Sequence, residues 1–97
     1  MNFEIAPVET VIRANWDDAK LYCFSLNIDG KTGWRLPSIF ELHEIYDSPN
    51  DFEELYYWSS TECNYTEVLY KQFFGGGYSY SDPKSIRNFV RAVRTIR

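Results

Sequence analysis

Few residues in this chain are of a type and spacing to do covalent chemistry. His43 is the only histidine and stands beside Glu44. It could act as a general base, but no motif places a nucleophile near it, and a lone histidine on a helix is usually solvated. Cys23 and Cys63 can form one disulfide at most, and neither has a second Cys or a His at metal-ligand spacing. Cys23 falls among apolar residues and reads as a small buried hydrophobe; Cys63 lies in polar surroundings and reads as exposed. The carboxylates Asp51, Glu53 and Glu54 read as a solvated turn. The stronger chemical signal is non-covalent. From Cys63 to Asn88, Tyr65, Tyr70, Tyr78 and Tyr80 are interleaved with Ser, Gly, Asn, Thr and Asp. Tyrosine offers large rigid contact area at low entropy cost, and the small polar residues adapt their hydrogen bonds around it. The same composition describes a hydrophilic loop with aromatics packed beneath it, and composition alone favours that plainer reading.

Whatever holds these residues must be one small domain, because 97 residues cannot be divided and still bury two independent domain cores. Residues 1–97 are therefore expected to fold as a single unit around one core. Hydrophobic content of 44% and aromatic content of 19% support a packed and unusually aromatic interior. A net charge of -4 offers nothing to a phosphate backbone, and the basic residues are scattered apart from Arg91, Arg94 and Arg97, so no nucleic-acid partner is expected. No apolar run is long enough to insert into a membrane, and Met1 to Glu9 lacks the pattern of an export signal. The chain as given reads as soluble and unprocessed.

The elements follow from local signals. Phe3, Ile5, Val8, Val11 and Ile12, interrupted by Pro7, predict a short strand near a sheet edge. Asn15 predicts a helix cap, with Asp17 and Asp18 favouring the positive end of the helix dipole. The helix should run from Trp16 to about Asn27, bury Trp16, Ala19, Cys23 and Leu26, and close at Gly30. In Trp34-Arg35-Leu36-Pro37-Ser38-Ile39-Phe40-Glu41, proline forces Leu36 to be extended while Ser38 and Glu41 form a capping box. A second helix starts there, buries Ile39, Leu42, Ile45 and Tyr46, and ends at Ser48-Pro49-Asn50. Tyr56 to Thr61, Val68 to Phe74 and Phe89 to Ile96 read as strands. The stretch from Gly75 to Pro83 reads as a long exposed loop or hairpin end. From the residues alone the class is α+β.

Five markers in order carry a resemblance over nearly the whole chain. They are Trp16-Asp17-Asp18-Ala19 with Tyr22-Cys23; Gly33-Trp34-Arg35-Leu36-Pro37-Ser38 with Glu41-Leu42; Tyr57-Trp58-Ser59-Ser60-Thr61-Glu62; Phe73 with Gly76; and Val90-Arg91-Ala92-Val93-Arg94. The chain resembles a bacterial and phage domain family found at the C-terminus of collagen-like adhesins and in the variable proteins of diversity-generating retroelements. The resemblance implies a C-type-lectin-like fold, with two helices flanking a small twisted antiparallel sheet and a loop-rich half that faces ligand. It implies a structural role for Trp16, Trp34, Arg35, Leu36, Pro37, Ser38, Glu41, Trp58, Phe73, Gly76, Val90 and Arg91. The position of Arg35 just before a capped helix points to a pairing with a carboxylate or with backbone carbonyls inside the fold. Many relatives carry Cys where Ala92 stands, so Cys23 has lost that partner here. The calcium and sugar triplets of animal C-type lectins are missing, and no metal or cofactor is expected.

The resemblance also turns the Tyr-rich span toward recognition. In retroelement-diversified relatives, misread template adenines scatter Asn codons into Tyr, Ser, Asp, Gly, Cys, Ile, Thr and Phe, which are the residue types found here. The expected ligand-binding residues are Asn64, Tyr65, Thr66, Tyr78, Ser79, Tyr80, Ser81, Asp82 and Asn88. The expected ligand is a protein or glycan surface, with homo-oligomeric display raising avidity. Two other readings stand beside this one. The first is a structural oligomeric subunit of a virion or surface assembly. The second is an oxidase of the formylglycine-generating type, which needs a copper-binding cysteine pair that Cys23 and Cys63 are poorly placed to form. Relatives of this kind are mostly exported, surface-displayed or virion-borne.

Overall fold

The computed structural model describes residues 1–96, so Arg97 lies outside the described residues. The two helices begin as their caps dictate. Helix α1 (Trp16–Ser25) opens with the Asn15 side chain accepting from the Asp18 N–H at 2.9 Å. Helix α2 (Ile39–Tyr46) opens with a complete capping box, Glu41 N–H to Ser38 Oγ at 3.1 Å and Ser38 N–H to Glu41 Oε1 at 2.8 Å. Helix α1 buries Trp16, Ala19 and Cys23, and α2 buries Ile39, Leu42 and Ile45. Helix α1 stops two residues short of Asn27, because Leu26 turns to an extended conformation. Gly30 does not cap the helix. With Asp29 it takes positive φ in the tight turn that brings Ile28 against Lys31.

The strands form two sheets where one was expected. The smaller contains β1 (Phe3–Ile5), β3 (Trp34–Arg35) and β8 (Val93–Thr95), in the order β1-β8-β3. The larger contains β2 (Ile12–Ala14), β4 (Tyr56–Glu62), β5 (Glu67–Gln72), β6 (Ser79–Pro83) and β7 (Asn88–Val90), in the order β2-β7-β4-β5-β6. All pairings are antiparallel except β4 with β7, which meet at Tyr57 and Phe89. The single strand expected from Phe89 to Ile96 is broken at Arg91 and Ala92, where the chain changes sheets. The break is matched at Ala6 and Pro7, since Ala6 donates to the Ala92 carbonyl at 3.0 Å and accepts from Arg91 Nε at 2.8 Å. The N-terminal segment thus gives two edge strands rather than one. The segment from Gly75 to Pro83 is likewise not all loop. Ser79–Pro83 pairs with β5 from Lys71↔Ser79 to Glu67↔Pro83 as the outer strand of the sheet. Its Ser and Asp residues hide a strand from propensity, and cross-strand pairing overrides them.

The interior is two clusters, not one. Neighbouring residues of β4 point to opposite faces, so Trp58 enters a cluster with Trp16, Trp34, Leu36, Val68 and Val90, while Tyr57 enters another with Phe3, Leu42, Ile45, Phe73 and Val93. All three indole N–H groups are given to backbone carbonyls. Trp58 donates to Ala14 and Trp16 to Ser59, both at 2.9 Å, and Trp34 to Lys31 at 3.0 Å. Arg35 forks onto Glu41 at 2.7 and 2.8 Å and reaches the Leu36 carbonyl at 3.4 Å, so it meets a carboxylate and a backbone carbonyl, the two kinds of partner expected of it. Arg91 is buried against the Phe52 ring at 4.6 Å, and its guanidinium forms an ion pair with Asp51 at 2.7 Å. Asp51 is therefore an ion-pair partner as well as a turn residue. Among the described residues, no helix is long and apolar enough to cross a membrane.

Two stability measurements test this scaffold. Trp58→Phe strands the buried Ala14 carbonyl and leaves a void, and should cost about 2–4 kcal/mol in urea unfolding; a loss of a few tenths would contradict the packing described. The hydrogen bond from Arg35 holds the Glu41 carboxyl below its ordinary 4.5, outweighing the opposing effect of burial. Its stabilisation is complete above pH 4.5 and is lost as pH falls through the lowered folded value. Glu41→Gln should be less stable than the parent at neutral pH, by only about 1 kcal/mol because Arg35 is partly exposed, with the gap closing on acidification.

Candidate functional site

Three strands of the larger sheet bring aromatic rings together on one outer area. In the β4–β5–β6 register, Trp58 pairs with Tyr70 and Tyr70 with Tyr80, so these side chains share a face. Tyr56 lies two residues before Trp58 and therefore shares its face. Trp58 is buried, but the rings beyond it are not covered. Tyr56 meets Tyr70 at 5.7 Å and Phe74 at 5.3 Å between centroids, both near-perpendicular. Tyr70 meets Tyr80 at 6.2 Å, and Tyr80 meets Tyr78 at 6.5 Å. Tyr78 is 60% exposed and Tyr80 51%. The result is one connected aromatic patch of five rings whose edges and faces reach solvent.

Asp82 supplies the charge near this patch. It pairs in register with Val68, two residues from Tyr70, and accepts from Asn88 Nδ2 at 3.0 Å. Partial burial raises the Tyr70 hydroxyl above its ordinary 10.0, and the Asp82 charge adds to the rise, so Tyr70 stays a neutral donor.

The expected binding residues divide by position. Tyr78, Tyr80 and Asp82 belong to the patch or its margin. Asn88 is buried and supports Asp82 from below. Ser79 stands opposite Lys71 on the other face, with its hydroxyl buried and without a hydrogen-bond partner. Ser81 donates to the Glu67 carboxylate. Asn64 closes the β4–β5 hairpin, its Oδ1 accepting from the Thr66 and Glu67 N–H groups at 3.0 Å each and from the Thr66 hydroxyl at 3.2 Å. Tyr65, 94% exposed, stands at that hairpin tip, at the other end of the strand pair from Tyr56 and Gln72. The expected binding residues do not include Tyr56, Tyr70 and Phe74, although Tyr70 is one of the four tyrosines of the Cys63 to Asn88 span. The signal that could have found Tyr56 and Tyr70 is the two-residue alternation of Tyr56 with Trp58, read across to Tyr70 through the pairing of β4 with β5.

A second group lies on the opposite face of β5. Lys71 is 4% exposed, donates to the Gly77 carbonyl at 2.5 Å, and lies 2.8 Å from His43 Nδ1 and 4.8 Å from the Tyr46 ring centroid. His43 is thus half-buried and hydrogen-bonded, not the solvated side chain expected. A Cβ at Gly77 would fall 2.5 Å from the Tyr46 ring, so this position admits glycine alone without rearrangement.

Other surfaces offer less. A hollow of about 410 Å³ lined by Arg35 and Arg94 has both guanidinium groups already paired, with Glu41 and Glu4. Leu21 and Phe24 are exposed on α1 without a ring network. Both cysteines are free; Cys23 is buried, which pushes its thiol up to about 12, and Cys63 is exposed. Among the described residues there is no metal-ligating group of three His, Cys, Asp or Glu side chains.

Compared with known proteins, the chain matches no curated sequence. The model of one family, the Lcl C-terminal domain, matches it over residues 5–94. The two helices and two sheets fit the C-type-lectin-like α+β architecture expected from the tryptophan-bearing markers. With nearly the whole chain matched, this protein belongs to the Lcl C-terminal domain family.

Proposed function

We propose that the protein is a non-enzymatic binding module that recognises a protein or glycan surface through Tyr56, Tyr70, Phe74, Tyr78 and Tyr80, with Asp82 at the margin. The observation that carries this reading is the connected, solvent-open ring network on a sheet that is otherwise braced from within. Aromatic groups clustered in this way supply apolar area and stacking faces, and the tyrosine hydroxyls add hydrogen-bond donors at their rims. Family membership supports an adhesin-type role of the same kind. Tyr56, Tyr70 and Tyr80 stand on paired strands, which sets their spacing before ligand arrives and lowers the ordering cost of binding, while Phe74 and Tyr78 flank the glycine turn between β5 and β6.

Retroelement-driven variation would fit Tyr65, Tyr78 and Tyr80, whose side chains are exposed. It would be costly at Asn88, which is buried on Asp82, and at Asn64, which closes a turn. An adenine-rich template copy beside a reverse transcriptase in the flanking DNA is the expected companion of active variation, and its absence would remove that part of the reading.

Screening the chain against arrayed glycans and peptides supplies a ligand for a direct test. Tyr78→Ala and Tyr80→Ala should each leave the melting temperature nearly unchanged and weaken binding by about 30-fold or more. Undiminished binding by both variants would overturn the assignment. A stable oligomer by light scattering that buries Tyr78 and Tyr80 would instead assign the patch to self-assembly.

A further inference from the structure

The ammonium of Lys71 is not needed to fill its site. An apolar side chain of the same length would be a cheaper occupant of that space, since a buried charge must be compensated at every contact. Lys71 has such compensation in three directions: the Gly77 carbonyl, the His43 ring nitrogen and the face of Tyr46. An ammonium carries no lone pair, so at 2.8 Å the His43 Nδ1 must be the acceptor. His43 is therefore neutral, with its hydrogen on Nε2.

The carbonyl that Lys71 holds ends a glycine turn, and the Lys71 ammonium is the side-chain donor given to it. Gly75, Gly76 and Gly77 all have positive φ, and the Gly77 N–H bonds back to Phe74 at 3.0 Å. Three glycines in a row carry high backbone entropy when released. The next residue is Tyr78, whose carbonyl accepts from the Gln72 N–H at 3.0 Å. The Tyr46 ring occupies the space that a Gly77 Cβ would take, so the turn is pinned between α2 and β5.

We propose that Lys71 and His43 form a proton-operated latch on the turn that carries Tyr78. With His43 neutral, the ammonium bridges α2 to the Gly77 carbonyl and the aromatic patch keeps its spacing. A proton on His43 Nδ1 sets two cationic donors against each other, breaks the bridge and frees the Gly75–Tyr78 segment. The groups facing the pair are His43, Tyr46 and Asp47 from α2, Lys71 itself from β5, the Gly77 carbonyl from the turn, and the edge of Phe40 at 6.4 Å. Burial lowers the His43 pKa below 6.5 and the Lys71 charge lowers it further, while Asp47 opposes both. The open turn then takes up the proton before the closed one. The latch is fully engaged above about pH 6.5 and is lost as pH falls through the lowered value of the closed state.

The consequence for ligand rests on the binding role proposed above, but the test reads the turn alone. Amide hydrogen exchange of Gly77 and Gln72 in the full chain should show protection factors falling between pH 7 and pH 5. The fall should be about tenfold for each pH unit separating open from closed titration, with the Trp58 and Tyr70 amides unchanged. His43→Gln keeps an acceptor that does not titrate, and should make the profile flat. Lys71→Met should lower Gly77 protection at both pH values. A flat profile in the parent, or the same fall in His43→Gln, would overturn the latch. Should the variants fold poorly, the 15N shift of His43 Nδ1 in the parent decides. A lone-pair-bearing nitrogen at pH 7 is expected, and an Nδ1–H would overturn the proposal.

Discussion

Two indole N–H bonds given in opposite directions across one junction hold this molecule together. Trp58, on β4, donates to Ala14, the last residue of β2; Trp16, the first residue of α1, donates to Ser59, the neighbour of Trp58. Residues 14 and 16 are thereby cross-braced to residues 58 and 59 through buried bonds. Because the Ala14 carbonyl lies one residue before the Asn15 cap, the brace also sets where α1 begins. Breaking either bond removes a donor from a buried carbonyl, and that penalty disfavours any other register of β4.

Once β4 is held, the rest of the larger sheet has little freedom. Alternation sends Tyr57 to one core and Trp58 to the other, and a slip by one residue would exchange them. The same alternation carries Tyr56 outward beside Tyr70, and β6 completes the row with Tyr80. The aromatic patch is thus the outer continuation of the wall that buries Trp58. Tyr56, Tyr70 and Tyr80 stand on paired strands, so their exposure marks where the core wall ends.

Much of this was legible in local sequence. Asn15, Ser38 and Glu41 announce helix starts through capping chemistry that depends on a few neighbouring residues, and the structure makes each of those bonds. The same short segment pointed Arg35 to a carboxylate or to backbone carbonyls, but that the carboxylate is Glu41 took the folded structure to see. What stayed hidden depends on distant partners. Ser79–Pro83 is a strand only because β5 pairs with it, and its composition argues for a loop. The break at Arg91 and Ala92 is set by Ala6, far away in the chain. For the same reason Tyr78 and Tyr80 could be named from composition, whereas Tyr56 and Phe74 required the register, and the Lys71–His43 contact required helix α2 to be docked on β5.

The most direct measurement of the central claim is hydroxyl-radical footprinting of the protein with a ligand recovered from arrayed glycans or peptides. The account predicts protection concentrated on Tyr56, Tyr70, Phe74, Tyr78 and Tyr80, with Leu21 and Phe24 of α1 as reactive as in the free chain. Protection of Leu21 and Phe24 with the five rings left open would contradict it.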